Sequence, residues 1–272
     1  MPELPEVETI CRDLNAAILG RRIKGVEVRD RRVIRSATPD ILKKTLVGNS
    51  FKKITRRGKA LIFELARGPY MLVIQPMMTG QLVISAENLE PKTCRIVLDL
   101  EDGQRLYYND QRVFGRWQII RDTAEVKYLR VLGPEPLADG FTAEVLSERI
   151  SGSQRPIKPL LLDHAFIAGI GNIYASEILF KARIDPRRPA RSLRPEEIRR
   201  LWEAVKSVLK QAVRLRGSSV NTYVDGRGRK GRFLEKIRVY QKEGDLCPDC
   251  GEIIRKTVQA QRSTFFCSNC QQ

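Results

Sequence analysis

Two groups of residues in this sequence have the types and spacing to do chemistry. The first is a pair of cysteine knuckles, CPDC at 247–250 and CSNC at 267–270. Cys247, Cys250, Cys267 and Cys270 in two C-x2-C steps point to a tetrahedral Zn²⁺ with four thiolate ligands. A pair of disulfides is the rival reading and is disfavoured in a reducing compartment. The other two cysteines, Cys11 and Cys94, stand alone in apolar-patterned segments and are expected to be buried thiols.

The second group is the opening, MPELPEVET. The initiator Met is usually removed before Pro, which would leave Pro2 as a secondary amine. Such an amine attacking a carbonyl-level carbon forms an iminium that is cationic without taking a proton, an electron sink for covalent catalysis. With an α-amino reference pKa of roughly 7.7–8.0, a usable fraction is neutral near pH 7, and nearby cations would enlarge it. Glu3 is placed to move protons or to stabilise a cationic sugar. A plainer reading is a helix start. Pro suits the first turn, acidic residues suit the positive end of the macrodipole, and Leu4, Val7, Cys11, Leu14 and Ile18 recur at helical spacing. The local sequence leaves both readings open.

The 272-residue chain carries 49 Lys+Arg against 32 Asp+Glu, a net charge of +17. The basic residues are spread along it, in RRIKG, KKITRRGK, RRPARSLRPEEIRR and RGRKGR. A folded basic surface of this kind points to a polyanion, above all nucleic acid, since neutralising phosphates releases counterions. A ribosomal or membrane-surface role is the alternative. No apolar run reaches membrane-spanning length, and the acidic N-terminus lacks an apolar h-region. A cytosolic protein is expected.

Residues from about 22 to 121 read as strands: KALIFEL, YMLVIQ, QLVIS, RIVLDL, QRLYYN and RWQII alternate or are β-branched, and EDGQ carries an Asp-Gly hairpin signal. With the leading helix they predict a β-sandwich. LGPEPLADG, 132–140, reads as a linker. Beyond it the period becomes helical, with Ile198, Leu201, Trp202, Val205, Val208, Leu209 and Ala212 on one face and IKPLLLDHAFIAGIGNIYASEILFKARI as helix, Gly-containing turn, helix. The Gly- and Arg-rich stretch 217–233 predicts a mobile loop. Two short strands, IRVYQ and STFFC, are expected near the cysteines. The fold class is α+β, with domains at 1–131, 142–236 and 237–272 and a linker at 132–141.

End to end, the chain resembles the formamidopyrimidine-DNA glycosylase family, through PELPEVET, RRGKALIFEL, MTGQL, LGPEPL, IKPLLLD, GIGNIYASEILF and AQRSTFFCSNCQ. The resemblance implies a two-layered β-sandwich with an N-terminal helix, then a helix–two-turns–helix domain and a zinc-finger hairpin holding one structural Zn²⁺. It implies a cytoplasmic, nucleoid-associated, bacterial-type monomer that excises oxidised purines from double-stranded DNA and cleaves the resulting abasic site.

By position, Pro2 would be the nucleophile at C1′ and Glu3 the acid/base for sugar-ring opening. Lys59 would assist near the scissile phosphate, and Arg262 would grip phosphates and help δ-elimination. Asn172 would hydrogen-bond a phosphate, Glu6 would help order the site, and Arg155 and Lys158 would supply charge. Because a base cannot be excised inside the stack, Met78, Arg112 and Phe114 would fill the gap left by the flipped nucleotide, with Arg112 on the orphaned partner base. Surface display in turns is expected for Met78 and Phe114. The sequence departs from the family pattern at Gln75-Pro76-Met77, at Thr93, where a DNA-contacting His is frequent, and at Val113, where a second Arg is frequent. His164, the only histidine, is expected to be structural. Two alternatives remain: an endonuclease VIII-type enzyme for oxidised pyrimidines, and a zinc-finger protein that binds lesions without cutting.

Overall fold

The computed structural model describes residues 1–84, 91–220 and 222–272. Ser85, which closes QLVIS, and Asn221, within the 217–233 stretch, fall outside these. Two compact units form, Met1–Arg130 with Leu215–Leu234, and Val131–Arg214 with Glu235–Gln272. The segment Leu215–Leu234, which the sequence assigns to the helical domain, therefore packs with the first unit.

In the first unit, α1 (Leu4–Ile18) leads into β1 (Ile23–Val28), α2 (Pro39–Leu46), β2 (Phe51–Arg57), β3 (Ala60–Leu65), β4 (Met71–Gln75), β5 (Gln81–Val83), β6 (Cys94–Leu100), β7 (Arg105–Asn109), β8 (Arg116–Ile120) and the short α3 (Lys127–Arg130). Two antiparallel four-stranded sheets result, ordered β1-β6-β7-β5 and β2-β3-β4-β8. Both sheets contribute to one core, with Ile96, Leu98 and Tyr108 from the first and Phe63, Ile74 and Trp117 from the second. Val7, Cys11, Leu14 and Ile18 of α1 join that core on the stripe that the helical spacing predicts, and Ile10 joins them.

The strand-like region contains a helix that its sequence pattern did not announce. Thr38 caps α2, its Oγ1 accepting from the Ile41 amide at 3.3 Å, and Pro39 occupies the first turn. The EDGQ turn joins β6 to β7 as expected, with Gly103 at φ 83°.

The second unit holds α4 (Ala143–Ser151), α5 (Ile157–Leu161), α6 (Asn172–Ala182), α7 (Pro195–Arg214) and the hairpin β9 (Ile254–Gln259)–β10 (Arg262–Cys267). Ile198, Leu201, Val205, Val208, Leu209 and Ala212 of α7 are buried, whereas Trp202 is partly exposed and donates its indole N–H to the Phe141 carbonyl at 2.8 Å. STFFC lies in β10, but IRVYQ is not a strand. The Arg238, Val239 and Tyr240 amides donate instead to the buried Glu177 carboxylate of α6, at 2.9, 3.0 and 2.9 Å, and β10 pairs with β9. No helix among the described residues is long and apolar enough to cross a membrane.

Candidate active site and nucleic-acid interface

The acidic opening divides its three carboxylates among three tasks. Pro2 and Glu3 are buried at the start of α1. Glu6, one turn on, accepts from the Glu3 amide at 2.8 Å and from the Ser218 amide at 2.7 Å, so one carboxylate ties the Pro2–Glu3 end of the helix to the 217–233 segment. Gly217 is required there, because a Cβ would lie 2.7 Å from Glu6 Oε1. Glu8 bonds Arg12 and the buried Arg56 of β2 at 2.8 and 3.0 Å. Burial pushes its carboxyl up, but the two guanidinium groups more than offset this and hold it below its ordinary value. Cys11, on the same helix, is an inert buried thiol, pushed up to about 11 by burial and the Glu8 charge; Cys94 is buried and shifted upward as well.

Lys59 sits in the β2–β3 turn, buried, with its backbone amide donating to the Tyr128 hydroxyl at 2.9 Å. Both strands of that hairpin pack against α1. Met78 lies in the β4–β5 connection and Phe114 in the β7–β8 connection, 37% and 45% exposed, so both apolar side chains are displayed on turns rather than buried. The Arg112 guanidinium, also exposed, stacks 4.5 Å from the Phe114 ring centroid. Thr93 differs from a DNA-facing donor: its hydroxyl bonds Asn109 at 2.5 Å and its carbonyl accepts the Asp110 amide.

The described residues of the 217–233 segment are tied down by specific contacts, unlike the mobile loop that their composition predicts. Arg216 bridges Asp13 of α1 and Asp225 at 2.5 and 2.6 Å, and Asp13 also accepts the Gly226 amide at 3.0 Å. Tyr223 enters the sandwich core, and the Ile84 amide bonds the Gly226 carbonyl. Burial pushes the Asp225 carboxyl up; the Arg229 amide, the Arg216 guanidinium and the Arg227 amide outweigh it and hold the group below its usual value. Its stabilising contribution is thus present above the unfolded value of about 3.9 and is lost as pH falls through the lower folded value. Amide exchange in 222–230 is expected to accelerate over that acid range. At neutral pH, Arg216→Met should produce the same release by leaving Asp13 without its ion pair and Asp225 with Arg229 in place of two guanidinium partners, read as rapid tryptic cleavage at Arg227, Arg229 and Lys230. Unchanged tryptic resistance would contradict the latch.

In the second unit, Asn172 begins α6 and donates from Nδ2 to the Ser263 carbonyl at 3.0 Å. Lys158, expected to supply charge, is buried in this unit. It is 0% exposed, and its ammonium donates to the Ser263 carbonyl at 2.7 Å and the Thr264 hydroxyl at 2.9 Å. A buried cation satisfied in this way seats β10 rather than meeting solvent. Arg262, the first residue of β10, is exposed beside a turn in which Ala260 and Gln261 both have positive φ, 46° and 59°. Two left-handed non-glycine residues suit a tight hairpin turn at a conformational cost. Arg155 is exposed and paired with Asp163 at 2.6 Å. His164 holds the chain through its carbonyl, which accepts the Gly133 amide at 2.8 Å.

The sulfur atoms of Cys247, Cys250, Cys267 and Cys270 all lie within 4.8 Å of one another, with Cys247–Cys270 at 3.9 Å and Cys250–Cys267 at 3.5 Å. Four thiolates on a tetrahedron about 2.3 Å from Zn²⁺ have comparable separations, so this cluster fits one zinc ion and fills its coordination.

Three family models tile the chain: the formamidopyrimidine-DNA glycosylase N-terminal domain over 1–117, the H2TH domain of the same enzymes over 132–224, and the zinc finger found in FPG and IleRS over 231–272. This combination defines a two-unit, zinc-finger DNA glycosylase architecture. The chain belongs to the formamidopyrimidine-DNA glycosylase family. The formamidopyrimidine-DNA glycosylase of Pelotomaculum thermopropionicum is 42% identical over 274 residues, covering 100% of this chain and 99% of the relative. The MutM (Fpg) crystal structure from Thermus thermophilus matches with TM-score 0.89 at 42% identity, covering 99% and 98% of the two chains. Lactococcus lactis Fpg in complex with DNA containing an abasic site matches with TM-score 0.90 at 34% identity, covering 99% of each chain.

Proposed function

We propose that this protein is a base-excision repair enzyme, a DNA glycosylase for oxidised purines that also cleaves the abasic strand. The observation that carries the reading is the Glu6 carboxylate, which bonds the Glu3 amide and the Ser218 amide at once. It couples a nucleophile-bearing helix end to a Gly- and Arg-rich segment suited to cover an extruded base. Family membership and the relatives' names and DNA complexes support the same activity. Base excision of this kind requires the damaged nucleotide to leave the stack.

With Met1 removed, the Pro2 nitrogen forms a bond to C1′ as the bond from C1′ to the base breaks, and the departing base takes a proton from water. Glu3 removes the proton left on the Pro2 nitrogen and passes it to O4′ as the freed nitrogen lone pair expels that oxygen, and a Pro2–C1′ iminium results. Loss of a C2′ proton releases the 3′ phosphate, loss of a C4′ proton releases the 5′ phosphate, and water frees Pro2. Lys59 and Arg262 serve these phosphate-leaving steps as cations, with Asn172 and Arg155 beside the backbone. The partner is double-stranded DNA carrying oxidised purines or abasic sites, bound by a monomer in the cytoplasm. Thr93 and the buried Lys158 act by holding the protein surface in shape.

Duplexes containing 8-oxoguanine, formamidopyrimidine or thymine glycol, resolved on a denaturing gel, test the reading. Cleavage of the two purine lesions is expected. Preference for thymine glycol would favour an endonuclease VIII-type enzyme, and binding without cleavage a lesion-binding protein.

Filling and strand chemistry should separate by mutation. Arg112→Ala is expected to slow excision most opposite cytosine, since a lost base contact costs on the order of 1–3 kcal/mol. Cleavage at a preformed abasic site, where no base has to be extruded, should stay comparatively intact. Lys59→Ala should slow cleavage alike for every opposing base. Excision rates opposite C, A, G and T check this, and an unchanged opposite-base profile in Arg112→Ala would remove it from the orphan base.

A further inference from the structure

Met78 and the Arg112–Phe114 pair come from two separate crossings between the sheets, β4 to β5 and β7 to β8. A single carboxylate joins the crossings. Asp110 is 0% exposed, and its Oδ1 accepts from the Thr79 hydroxyl at 2.5 Å and the Arg112 amide at 3.3 Å. Its Oδ2 accepts from the Gly115 amide at 2.8 Å and the Tyr108 hydroxyl at 3.3 Å. Thr79 Oγ1 also accepts the Arg112 amide at 3.1 Å, which closes the link between the two turns. Arg95 bonds the Asp110 carbonyl at 2.8 Å and fixes the hub from behind.

The surroundings leave this hub little freedom. A Cβ at Gly115 would lie 1.5 Å from the Tyr108 hydroxyl oxygen, and one at Gly80 would lie 2.7 Å from it, so both turns close around the same phenol. The Tyr108 ring in turn meets Trp117 edge-on, with centroids 5.4 Å apart. Between the two amides that Asp110 holds, Val113 has φ 56°, a left-handed conformation that a β-branched residue keeps only when its neighbours impose it.

We propose that Asp110 is a positioning residue that locks the two turns together, so that Met78, Arg112 and Phe114 enter the duplex as one rigid wedge. This rests on the repair reading above, which assigns those three side chains to the vacated stack. Turns that moved independently would have to be ordered at every insertion, whereas a locked pair is ordered in advance.

Thr79→Val cuts the link between the turns and keeps the bonds from Asp110 to Arg112 and Gly115; Asp110→Asn keeps the volume and removes the charge. Both variants are expected to excise 8-oxoguanine about tenfold more slowly with a flattened opposite-base preference, because misplacement of this order costs rate steeply. Cleavage at a preformed abasic site should stay within about twofold of wild type, which a general loss of folding would not allow. Amide exchange should accelerate together in 76–80 and 111–115 while α1 and β3 keep their protection. Exchange confined to the substituted turn, a wild-type opposite-base profile, or excision and abasic cleavage falling in parallel would overturn the proposal. A wild-type protein that excises nothing would instead remove the repair reading, and the exchange result would still decide whether Asp110 couples the turns.

Discussion

Glu3→Gln is expected to lower Schiff-base formation, and the strand cleavage that follows it, about 10²–10⁴-fold, the usual contribution of a positioned acid or base. Gln preserves the shape of the side chain but has no acidic proton for O4′, so the sugar ring opens without help. Because Glu3 is buried at the first turn of α1, its carboxyl faces a restricted environment rather than bulk water, and solvent cannot readily replace it. The Glu6 bond to the residue 3 amide is a backbone contact and survives the substitution. Affinity for abasic-site DNA and the melting temperature should therefore change little. Single-turnover borohydride trapping and strand cleavage on an 8-oxoguanine duplex opposite cytosine check the effect. A rate within about threefold of wild type would remove Glu3 from proton transfer.

Removing zinc should have a comparably large effect by another route. The hairpin unit has a small apolar cluster of its own, built on Phe180, Val239, Ile254 and Phe265 with Cys247 and Cys267. So little buried surface does not hold a hairpin without a cross-link, whereas structural zinc contributes an apparent 10–16 kcal/mol or so. Chelation or Cys250→Ser is expected to abolish exchange protection in β9 and β10 and to lower DNA affinity at least about tenfold, since Arg262 loses its platform and phosphate contacts carry much of the binding. The β-sandwich unit should keep its own unfolding transition. Metal analysis giving less than about one zinc per chain together with full DNA binding would contradict the structural role.

Acid should weaken the helical unit through Glu197. The Arg188 guanidinium holds the Glu197 carboxyl at about 2 against the opposing effect of burial, with bonds of 2.7 and 3.1 Å. The lowered value means that this stabilisation is complete above the unfolded value of about 4.3 and declines as pH falls through 2.

Much of this architecture was legible because its signals are local. Strand alternation, the Asp-Gly hairpin, the helical stripe of α7 and the cysteine spacing each concern neighbouring residues, and each matches the structure. The α2 helix was missed because its eight residues give too short a periodic run, although Thr38-Pro39-Asp40 was a readable cap. IRVYQ looks like a strand, but its amides are taken by Glu177, about 60 residues earlier in the chain, a partner that no local pattern reveals. The same limit applies to the 217–233 segment. Its composition suggested mobility, while the Asp13–Arg216–Asp225 latch depends on a helix some two hundred residues away. Lys158 is expected to supply charge, and nothing local in IKPLLLD reveals its burial against Ser263 and Thr264. Asp110 was passed over for a related reason: NDQRVFG advertises the exposed Arg112 and Phe114, while the carboxylate that holds them faces inward.

The central claim is that the Pro2 nitrogen is the nucleophile, and borohydride trapping tests it most directly. Protein with Met1 removed, incubated with an abasic or 8-oxoguanine duplex and reduced, should yield one covalent protein–DNA adduct. Peptide mapping should place the sugar on Pro2. Protein extended at its N-terminus by an uncleaved tag should yield no adduct, because the amine is then an amide. Equal trapping by the tagged protein, with the sugar mapped to a lysine, would contradict the account.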